Sequence, residues 1–297
     1  MMLKTDRKLV VCIGAQKAAT TTLFSLMQKH PEVCTTLEKE TGFFYDNSLF
    51  SKGYEWFFKS CFSACNGRNM FFEADPNYLY FGRCIDRIYS CDPTARIIII
   101  LRNPIDRAFS HYLMMKKWGM DKLSFEDACL IEKSRISKGE WEQADFGYLD
   151  RSRYASQIEH VLSVFPKQQV LFVLFEDFVQ DQEFEFTRIQ KWLGLSRTVD
   201  AIVKKNIASS TRSDFLAALL HSHNYRPLRA VLRKLTGTGL VRQRIREALS
   251  SFNQVKYVEG DKPKVSKEFR TTLLGQFEDD IRDVESLTGL DLSSWLE

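Results

Sequence analysis

A lysine and three consecutive threonines follow the first apolar run of the chain, in the order Gly14-Ala-Gln-Lys-Ala-Ala-Thr-Thr-Thr-Leu23. Ammonium and hydroxyl groups at this spacing are donors for the oxygens of a phosphate or a sulfate. The small residues of the turn let backbone N–H groups approach the same anion. The pattern predicts an anion site formed by Gln16, Lys17, Ala18, Ala19, Thr20, Thr21 and Thr22.

The elements that must position these residues also favour an anion. Leu9 to Ile13 is a short, mostly β-branched apolar run that is typical of a buried parallel strand, and Gly14 permits a sharp turn after it. Apolar residues recur at helical spacing from Leu23 to Met27, so Ala18 to Thr22 is expected to form the first helical turn. N–H groups there lack partners within the helix, and the positive end of the helix dipole attracts an anion.

Two simpler interpretations of this segment are open. A lysine in a loop is ordinarily solvated, and threonines ordinarily cap a helix. The P-loop of ATP-binding proteins requires Gly-x-x-x-x-Gly-Lys-Ser/Thr. This chain does not match that pattern, because Lys17 comes three residues after Gly14, the only glycine of the segment.

A second candidate site follows a second apolar run. Ile97 to Leu101 is predicted to be a strand that ends at Arg102, and Pro104 is placed to begin a helix. Ser110 follows Arg102 by eight residues. A guanidinium group suits bidentate contact with a phosphate. The ordinary alternative is that Arg102 pairs with a surface carboxylate.

Together, the two segments resemble those of the sulfotransferases that use 3′-phosphoadenosine 5′-phosphosulfate (PAPS). The Lys17 segment is similar to the family's loop for the 5′-phosphosulfate, and the segment from Arg102 to Ser110 is similar to its 3′-phosphate motif. The resemblance implies in-line transfer of a sulfuryl group from PAPS to a hydroxyl or an amine of an acceptor. It implies that Lys17 is catalytic, that Arg102 and Ser110 hold the 3′-phosphate, and that no metal is required.

The segment Lys39-Glu-Thr-Gly-Phe-Phe44 resembles the Lys-Glu-x-x-Phe-Phe stretch of the family's carbohydrate sulfotransferases, which implies that Glu40 is the general base. A carboxylate suits this task if burial raises its pKa toward the working pH. The ordinary alternative is a solvated acid beside Lys39. Many relatives have a histidine where this chain has Gly42, so the local support of the base is expected to differ.

Phe71-Phe-Glu-Ala-Asp-Pro-Asn-Tyr78 resembles a further segment of the family. Asp75 stands where the family has a hydroxyl residue, and Ala74 stands where heparan-modifying relatives have a lysine. This departure weakens the case for a heparan-like acceptor. Glu73 and Asp75 are candidates on the acceptor side of the site.

Strands alternate with helices along most of the chain, which predicts an α/β fold. We expect three layers, α/β/α, around a central, mainly parallel sheet, with the ligand motifs at the ends of strands. This is the P-loop-like fold that the resemblance implies. A chain of 297 residues with 44% apolar and 13% aromatic residues can bury one large core, so a single sulfotransferase domain over residues 1–297 is expected.

The first residues, Met1 to Lys8, include no apolar leader or membrane-spanning run, so a cytoplasmic chain without a transmembrane segment is expected. Eukaryotic carbohydrate sulfotransferases are usually anchored in the Golgi membrane, which suggests a bacterial member of the group. Seven cysteines without a Cys-x-x-Cys pair indicate reduced thiols rather than a disulfide framework. Cys61 and Cys65 come nearest to a metal spacing, but no histidine is near them.

The net charge of +4 is unevenly distributed, because ten lysines and arginines but only one acid lie between Lys204 and Arg246. Such a stretch suits contact with an anionic surface or acceptor. Lys256, Lys262 and Lys264 fall where relatives close a basic loop over PAPS, so they are further candidates. No nucleic-acid partner is expected.

Two other functions remain open at this point. A P-loop nucleotide kinase would depend on Mg²⁺ and would have a Lys-Ser/Thr pair, which this segment lacks. A module that binds PAPS or another anion without catalysis would be indicated by loss of Lys17 or Glu40, and both are present. A saccharide or glycolipid is the expected acceptor, because the motifs resemble those of carbohydrate sulfotransferases.

Overall fold

The computed structural model describes residues 7–62, 65, 67–196, 209–211, 254–256 and 263–297. The chain divides into two units. The first comprises Met1–Arg107, Arg151–Lys204 and Leu273–Glu297, and the second comprises Ala108–Asp150 and Lys205–Thr272. One sulfotransferase domain over residues 1–297 stays a prediction.

A five-stranded sheet in which all neighbouring strands are parallel forms the centre of the first unit. Its spatial order is β2-β3-β1-β4-β5. The strands are β1 (Lys8–Gly14), β2 (Val33–Thr35), β3 (Met70–Ala74), β4 (Arg96–Leu101) and β5 (Val170–Leu174). The predicted α/β fold with a central parallel sheet is confirmed.

Helices cover both faces of this sheet. Every residue of β1 after Lys8 and every residue of β4 after Arg96 is buried. Since successive side chains of a strand point to opposite faces, continuous burial requires a covering layer on each face. The long apolar runs of the two strands are therefore explained by the three-layer arrangement.

Within the described residues, helices connect the strands and continue to the C-terminus. They are α1 (Thr20–Lys29), α2 (Asn47–Phe50), α3 (Tyr54–Cys61), α4 (Asn77–Tyr80), α5 (Arg83–Cys91), α6 (Pro104–Lys117), α7 (Phe125–Leu130), α8 (Glu132–Ile136), α9 (Glu140–Phe146), α10 (Tyr154–Val164), α11 (Phe175–Gln180), α12 (Gln182–Leu193) and α13 (Lys267–Thr288). Short 3₁₀ turns lie at Asp150–Ser152, Lys167–Gln169 and Ser293–Trp295.

The strand order creates a switch point between β1 and β4. From β1 the chain proceeds toward β2 on one side of the sheet, and from β4 it proceeds toward β5 on the other. The segments that follow these two neighbouring strands therefore diverge. In open α/β sheets, ligands bind in the crevice that such a divergence leaves at the carboxyl ends of the strands.

The second unit has its own buried polar cluster. The Asp121 carboxylate accepts hydrogen bonds from Arg135 at 2.6 Å and from the Tyr148 hydroxyl at 2.8 Å. Glu132 accepts from the backbone N–H groups of Leu149 and Asp150 at 2.8 and 2.7 Å. These bonds satisfy carboxylates that would otherwise be costly to bury. The unit also contains a two-stranded antiparallel sheet, β6 (Ser209–Thr211) with β7 (Gln254–Lys256).

One cysteine prediction is wrong. Cys34 of β2 forms a disulfide with Cys65, and their Cα atoms are 5.4 Å apart, a separation typical of this bond. The two residues are 31 positions apart in sequence, so no local spacing could indicate the pair. The other five cysteines are free thiols, as predicted.

The predictions for the basic stretch and for Lys262 fall on residues that the structure mostly does not describe. Apart from β6, the basic stretch from Lys204 to Arg246 lies outside the described residues, as does Lys262. Lys256 ends β7. Within the described ranges, no helix combines the length and the apolar character needed to cross a membrane. Those ranges also contain no cluster of three or more histidine, cysteine or acidic side chains that could hold a metal ion.

Candidate active site

The loop between β1 and α1 makes a tight turn at the carboxyl edge of the sheet. A Cβ atom at Gly14 would lie 2.8 Å from the Cβ atom of Leu79, so only glycine fits against α4. The N–H of Ala15 then donates to the carbonyl of Ile100 in β4 at 2.7 Å. This bond fixes the start of the loop against the neighbouring strand.

Two residues of the loop have a left-handed backbone, Lys17 with φ 71° and Ala19 with φ 60°. Left-handed residues are uncommon outside glycine, and alternation of this kind turns successive N–H groups toward one concave side, where they attract anions. Such outliers often mark functional sites. The predicted anion loop therefore contains left-handed residues of the kind that such anion sites use.

The N-terminus of α1 lacks the groups that usually neutralise it. Ala19 is the N-cap residue and supplies no side-chain hydrogen bond, and the first turn contains no acidic residue. The positive dipole end of this ten-residue helix is consequently not neutralised by a capping side chain or by an acid in its first turn, which favours an anion there.

The predicted ligands of the loop differ in exposure. Lys17, Gln16, Ala19 and Thr22 are partly exposed, Thr21 is exposed, and Ala18 and Thr20 are buried. Successive helical residues are turned by about 100°, so the three threonine side chains point in different directions. Within the described ranges, the buried Oε1 atom of Gln16 has no hydrogen-bond partner.

Arg102 extends from the end of β4 into this loop. Its Nη1 atom donates to the carbonyl of Lys17 at 3.0 Å, and its guanidinium lies 4.4 Å from the ring centroid of Phe175. Burial lowers the pKa of Arg102, although Asp106 and Glu176 oppose that effect. An anion bound beside the guanidinium would compensate this desolvation. The structure thus brings Arg102 into contact with the Lys17 loop.

Ser110 lies on α6, in the part of that helix that belongs to the second unit, and is partly exposed. Its contact with a 3′-phosphate stays a prediction. In the second unit, Lys264 lines a groove of about 340 Å³ together with Tyr112, Lys116 and Phe125. Whether Lys264 contacts the cofactor likewise stays a prediction.

Glu40 lies on a turn at the end of β3, the strand beside β1. Its N–H donates to the carbonyl of Ala74 at 3.2 Å. The Glu40 side chain is 48% exposed and forms an ion pair with Lys39. The burial expected of the general base is therefore absent, and the carboxylate is open to an acceptor instead.

Buried carboxyl groups do occur at this edge, but at Glu73 and Asp75, which are 0% and 1% exposed. Burial raises the pKa of Glu73 to about 8, and hydrogen bonds from Thr41 and Tyr78 only partly oppose it. Burial, with the charge of Glu40, raises the pKa of Asp75 to about 6. At neutral pH, Glu73 therefore retains its proton, and Asp75 is mostly ionised.

From the sequence, Glu73 and Asp75 were only candidates on the acceptor side. The burial of Glu73 could have been inferred from the sequence, because this residue interrupts the apolar run Met70–Ala74 at the end of a strand. An acid inside such a run must point into the protein or end the strand. The structure shows the first outcome.

The chain was compared with known proteins. A family model described as "Sulfotransferase family" matches residues 40–199. This range includes Glu40, Arg102 and Ser110, whereas the loop that carries Lys17 precedes it.

Curated relatives were found at moderate identity. The bifunctional heparan sulfate N-deacetylase/N-sulfotransferase 4 of Mus musculus is 29% identical over 197 residues, which cover 62% of this chain and 22% of the relative. The heparan sulfate glucosamine 3-O-sulfotransferase 6 of Homo sapiens is 28% identical over 187 residues, which cover 63% of this chain and 52% of the relative. The chain thus spans about half, or less, of the length of these relatives.

A solved structure matches nearly the whole chain. The sulfotransferase from Alicyclobacillus acidocaldarius aligns with a TM-score of 0.68 and 23% sequence identity, and the match covers 98% of this chain and 99% of that one. At this identity the match establishes a shared fold.

Proposed function

This chain belongs to the sulfotransferase family, and from that premise we propose that it transfers a sulfuryl group from PAPS to a hydroxyl or an amine of a saccharide or glycolipid acceptor. One observation carries the proposal. Arg102 donates to the carbonyl of Lys17 at 3.0 Å, so the strand-end arginine and the anion loop form one basic crevice at the switch point of the sheet.

The crevice suits a donor with two separate anionic groups. Lys17, the loop amides and the threonine hydroxyls would bind the 5′-phosphosulfate at the uncapped N-terminus of α1. Arg102 would bind the 3′-phosphate with its planar guanidinium, and Ser110 would add a hydroxyl donor. A nucleotide with a 3′-phosphate is thereby favoured over one without it.

In the proposed step, an acceptor oxygen or nitrogen bonds to sulfur while the bond between sulfur and the bridging oxygen of PAPS breaks. The electron pair of that bond leaves on the phosphate, and 3′,5′-adenosine bisphosphate is released. Lys17 neutralises the charge that develops on the bridging oxygen. Glu40 accepts the acceptor's proton, and its exposed position makes it accessible to a large acceptor.

The saccharide acceptor is inferred from the relatives. The two heparan sulfate enzymes named above act, by their names, on a saccharide. Glycan acceptors are large, and the exposed turn that carries Glu40 suits a large acceptor. O- and N-sulfation are both compatible with this arrangement.

A transfer assay tests the proposal. Purified protein is incubated with radiolabelled PAPS and a panel of saccharides and glycolipids, and labelled product is counted. We expect Lys17→Ala to abolish transfer without loss of the fold. We expect Glu40→Gln to bind PAPS as the wild type does but to lower kcat by about 100-fold or more, the usual range for loss of a general base.

Glu38→Gln, two positions before the proposed base, is the matched control and should retain wild-type turnover. Wild-type turnover in Lys17→Ala would remove Lys17 from the mechanism. Weakened PAPS binding with a normal rate in Glu40→Gln would mean that Glu40 binds the donor rather than accepting a proton. Labelled ATP in place of PAPS tests the kinase alternative.

A further inference from the structure

The Glu40 turn, residues 40–42, has an unusual backbone. Glu40 and Gly42 are both left-handed, with φ 62° and 68°. Glycine adopts this conformation freely, but glutamate does so only when surrounding contacts hold it there. The contacts that hold Glu40 in place are therefore part of the machinery that presents its carboxylate.

Asp75 holds the C-terminal end of this turn. Its Oδ2 atom accepts from the N–H of Gly42 at 3.2 Å, and its Oδ1 atom accepts from the N–H of Asn77 at 3.0 Å. The N–H of Asp75 donates to the carbonyl of Cys12 in β1 at 3.1 Å. One buried residue thus connects the Glu40 turn to α4 and to the strand that leads into the anion loop.

Glu73 holds the centre of the turn. Its Oε1 atom accepts from the hydroxyl of Thr41 and, at 2.9 Å, from the hydroxyl of Tyr78. The Tyr78 hydroxyl also accepts from the N–H of Phe44 at 3.3 Å. Two hydroxyl groups and one carboxyl group therefore attach both Thr41 and the following backbone to the end of β3.

Gly42 and Asp75 are two of the three positions, with Ala74, where the chain departs from the family pattern described above. The structure joins them by a hydrogen bond. A residue with a side chain at position 42 would be strained at this φ, so the glycine permits the turn and the carboxylate fixes it.

We infer that Asp75 and Glu73 are positioning residues that hold the Glu40 turn in its left-handed conformation and so aim the proposed base at the acceptor. The inference rests on the proposed function for the role of Glu40, but the contacts themselves do not depend on it. Both residues are buried, so they act through the turn and not by touching the acceptor.

The test compares Asp75→Ala, Asp75→Asn and Asp92→Ala. Alanine removes the acceptors for both Gly42 and Asn77, whereas asparagine keeps one carbonyl oxygen and so can retain one of these two hydrogen bonds. Asp92 lies just before β4, at the amino ends of the strands and so away from the Glu40 turn, and it accepts from the N–H of Thr94 at 3.0 Å. Asp92→Ala therefore controls for the loss of a carboxylate that holds a turn. A misplacement of about 1 Å can cost about 100-fold in rate.

We expect Asp75→Ala to lower kcat by at least about tenfold with little change in KM for PAPS, Asp75→Asn to retain more of kcat than Asp75→Ala does, and Asp92→Ala to have the kcat of the wild type. Hydrogen exchange supplies a readout that is independent of activity: amides of residues 40–44 should exchange faster in Asp75→Ala than in Asp75→Asn. Equal exchange in the two variants would overturn the inference, as would a wild-type kcat in Asp75→Ala.

The proposed function can fail separately. If the wild-type protein neither binds nor consumes PAPS while exchange still responds to Asp75→Ala, then the turn is held as inferred, but Glu40 serves another reaction. If Asp75→Ala does not fold, Glu73→Met replaces it, because methionine keeps the volume but removes the oxygen that accepts from Thr41 and Tyr78. Glu73→Gln, which keeps that oxygen, is its control: amides of residues 40–44 should exchange faster in Glu73→Met than in Glu73→Gln, and equal exchange in the two variants would overturn the inference.

Discussion

Arg102 is the side chain that joins the two halves of the proposed donor site. One guanidinium nitrogen is committed to the carbonyl of Lys17, and in the described ranges its Nε atom has no hydrogen-bond partner. The guanidinium thus retains donors for a ligand while it is held in position by the loop. A preformed donor of this kind lowers the entropy cost of binding a phosphate.

We expect Arg102→Ala to lose the preference for a nucleotide with a 3′-phosphate. The ratio of affinities for 3′,5′-adenosine bisphosphate and 5′-AMP should fall by about 10- to 100-fold, the range expected for a hydrogen-bonded charge. Arg102→Lys should recover only part of the ratio, since an ammonium cannot make the bidentate contact. Calorimetric titration with both nucleotides measures this ratio of affinities.

Arg96→Ala is the matched control. Arg96 begins β4, at the end opposite to Arg102, and its Nη1 atom donates to the carbonyl of Trp192 at 2.7 Å. Its removal should leave the ratio unchanged. If Arg102→Ala and the wild type had the same ratio of affinities for the two nucleotides, Arg102 would not bind the 3′-phosphate.

Glu73 makes stability depend on pH. Its pKa is raised to about 8 in the folded state from 4.5, so the folded protein retains a proton that the unfolded chain releases. The free energy of unfolding should therefore fall as pH rises from about 4.5 to about 8, by at most about 1.4 kcal/mol per pH unit. Asp75 contributes in the same direction up to pH about 6.

Glu73→Gln should remove the larger part of this slope, because glutamine does not ionise. Denaturant unfolding between pH 5.5 and 8.5 should show the variant gaining stability relative to the wild type as pH rises. Glu278→Gln, which removes a surface carboxylate paired with Arg282, controls for the loss of a carboxylate as such. If the free energy of unfolding changed with pH in the same way for Glu73→Gln and the wild type, Glu73 would not retain a proton in the folded state.

At the level of strands and helices, the disulfide constrains the edge of the sheet. It ties β2, whose three residues pair only with β3 in the described part of the chain, to Cys65 in the segment after α3. The Glu40 turn begins five residues after β2. The disulfide thus limits the movement of the edge strand that leads into this turn.

Thiol counting tests this assignment. The unfolded, unreduced protein should present five reactive thiols, and after reduction it should present all seven. Cys34→Ser should lower the free energy of unfolding by about 2–4 kcal/mol, whereas Cys91→Ser, in which a free thiol is replaced, should change it far less. Seven reactive thiols before reduction would contradict the disulfide.

Apolar runs predicted β1 and β4 correctly because both strands are buried at every position after the first, as a sheet covered on both faces requires. The positions of the Lys17 loop and of Arg102 were predictable in the same way, since each directly follows one of these strands, while their roles stay predictions. The disulfide and the Glu73–Thr41–Tyr78 contacts were not predictable in this way, because they join residues that are distant in sequence. The exposure of Glu40 depends on a backbone turn that residue types do not encode.

For the chain as a whole, the central claim is that one crevice recognises a nucleotide with a 3′-phosphate and a 5′-phosphosulfate. The claim combines family membership, the switch point between β1 and β4, and the contact between Arg102 and Lys17. The prediction of a cytoplasmic, bacterial protein remains a separate proposal. It does not affect this claim.

Calorimetric titration of the purified protein with 3′,5′-adenosine bisphosphate, 5′-AMP and ATP with Mg²⁺ tests the claim most directly. We predict that the bisphosphate binds at least about tenfold more tightly than 5′-AMP, as expected for a charge-assisted contact to the additional phosphate, and that Mg²⁺ is not required. Absence of binding would contradict the PAPS assignment. A preference for ATP with Mg²⁺ would contradict it as well and would favour the nucleotide kinase alternative.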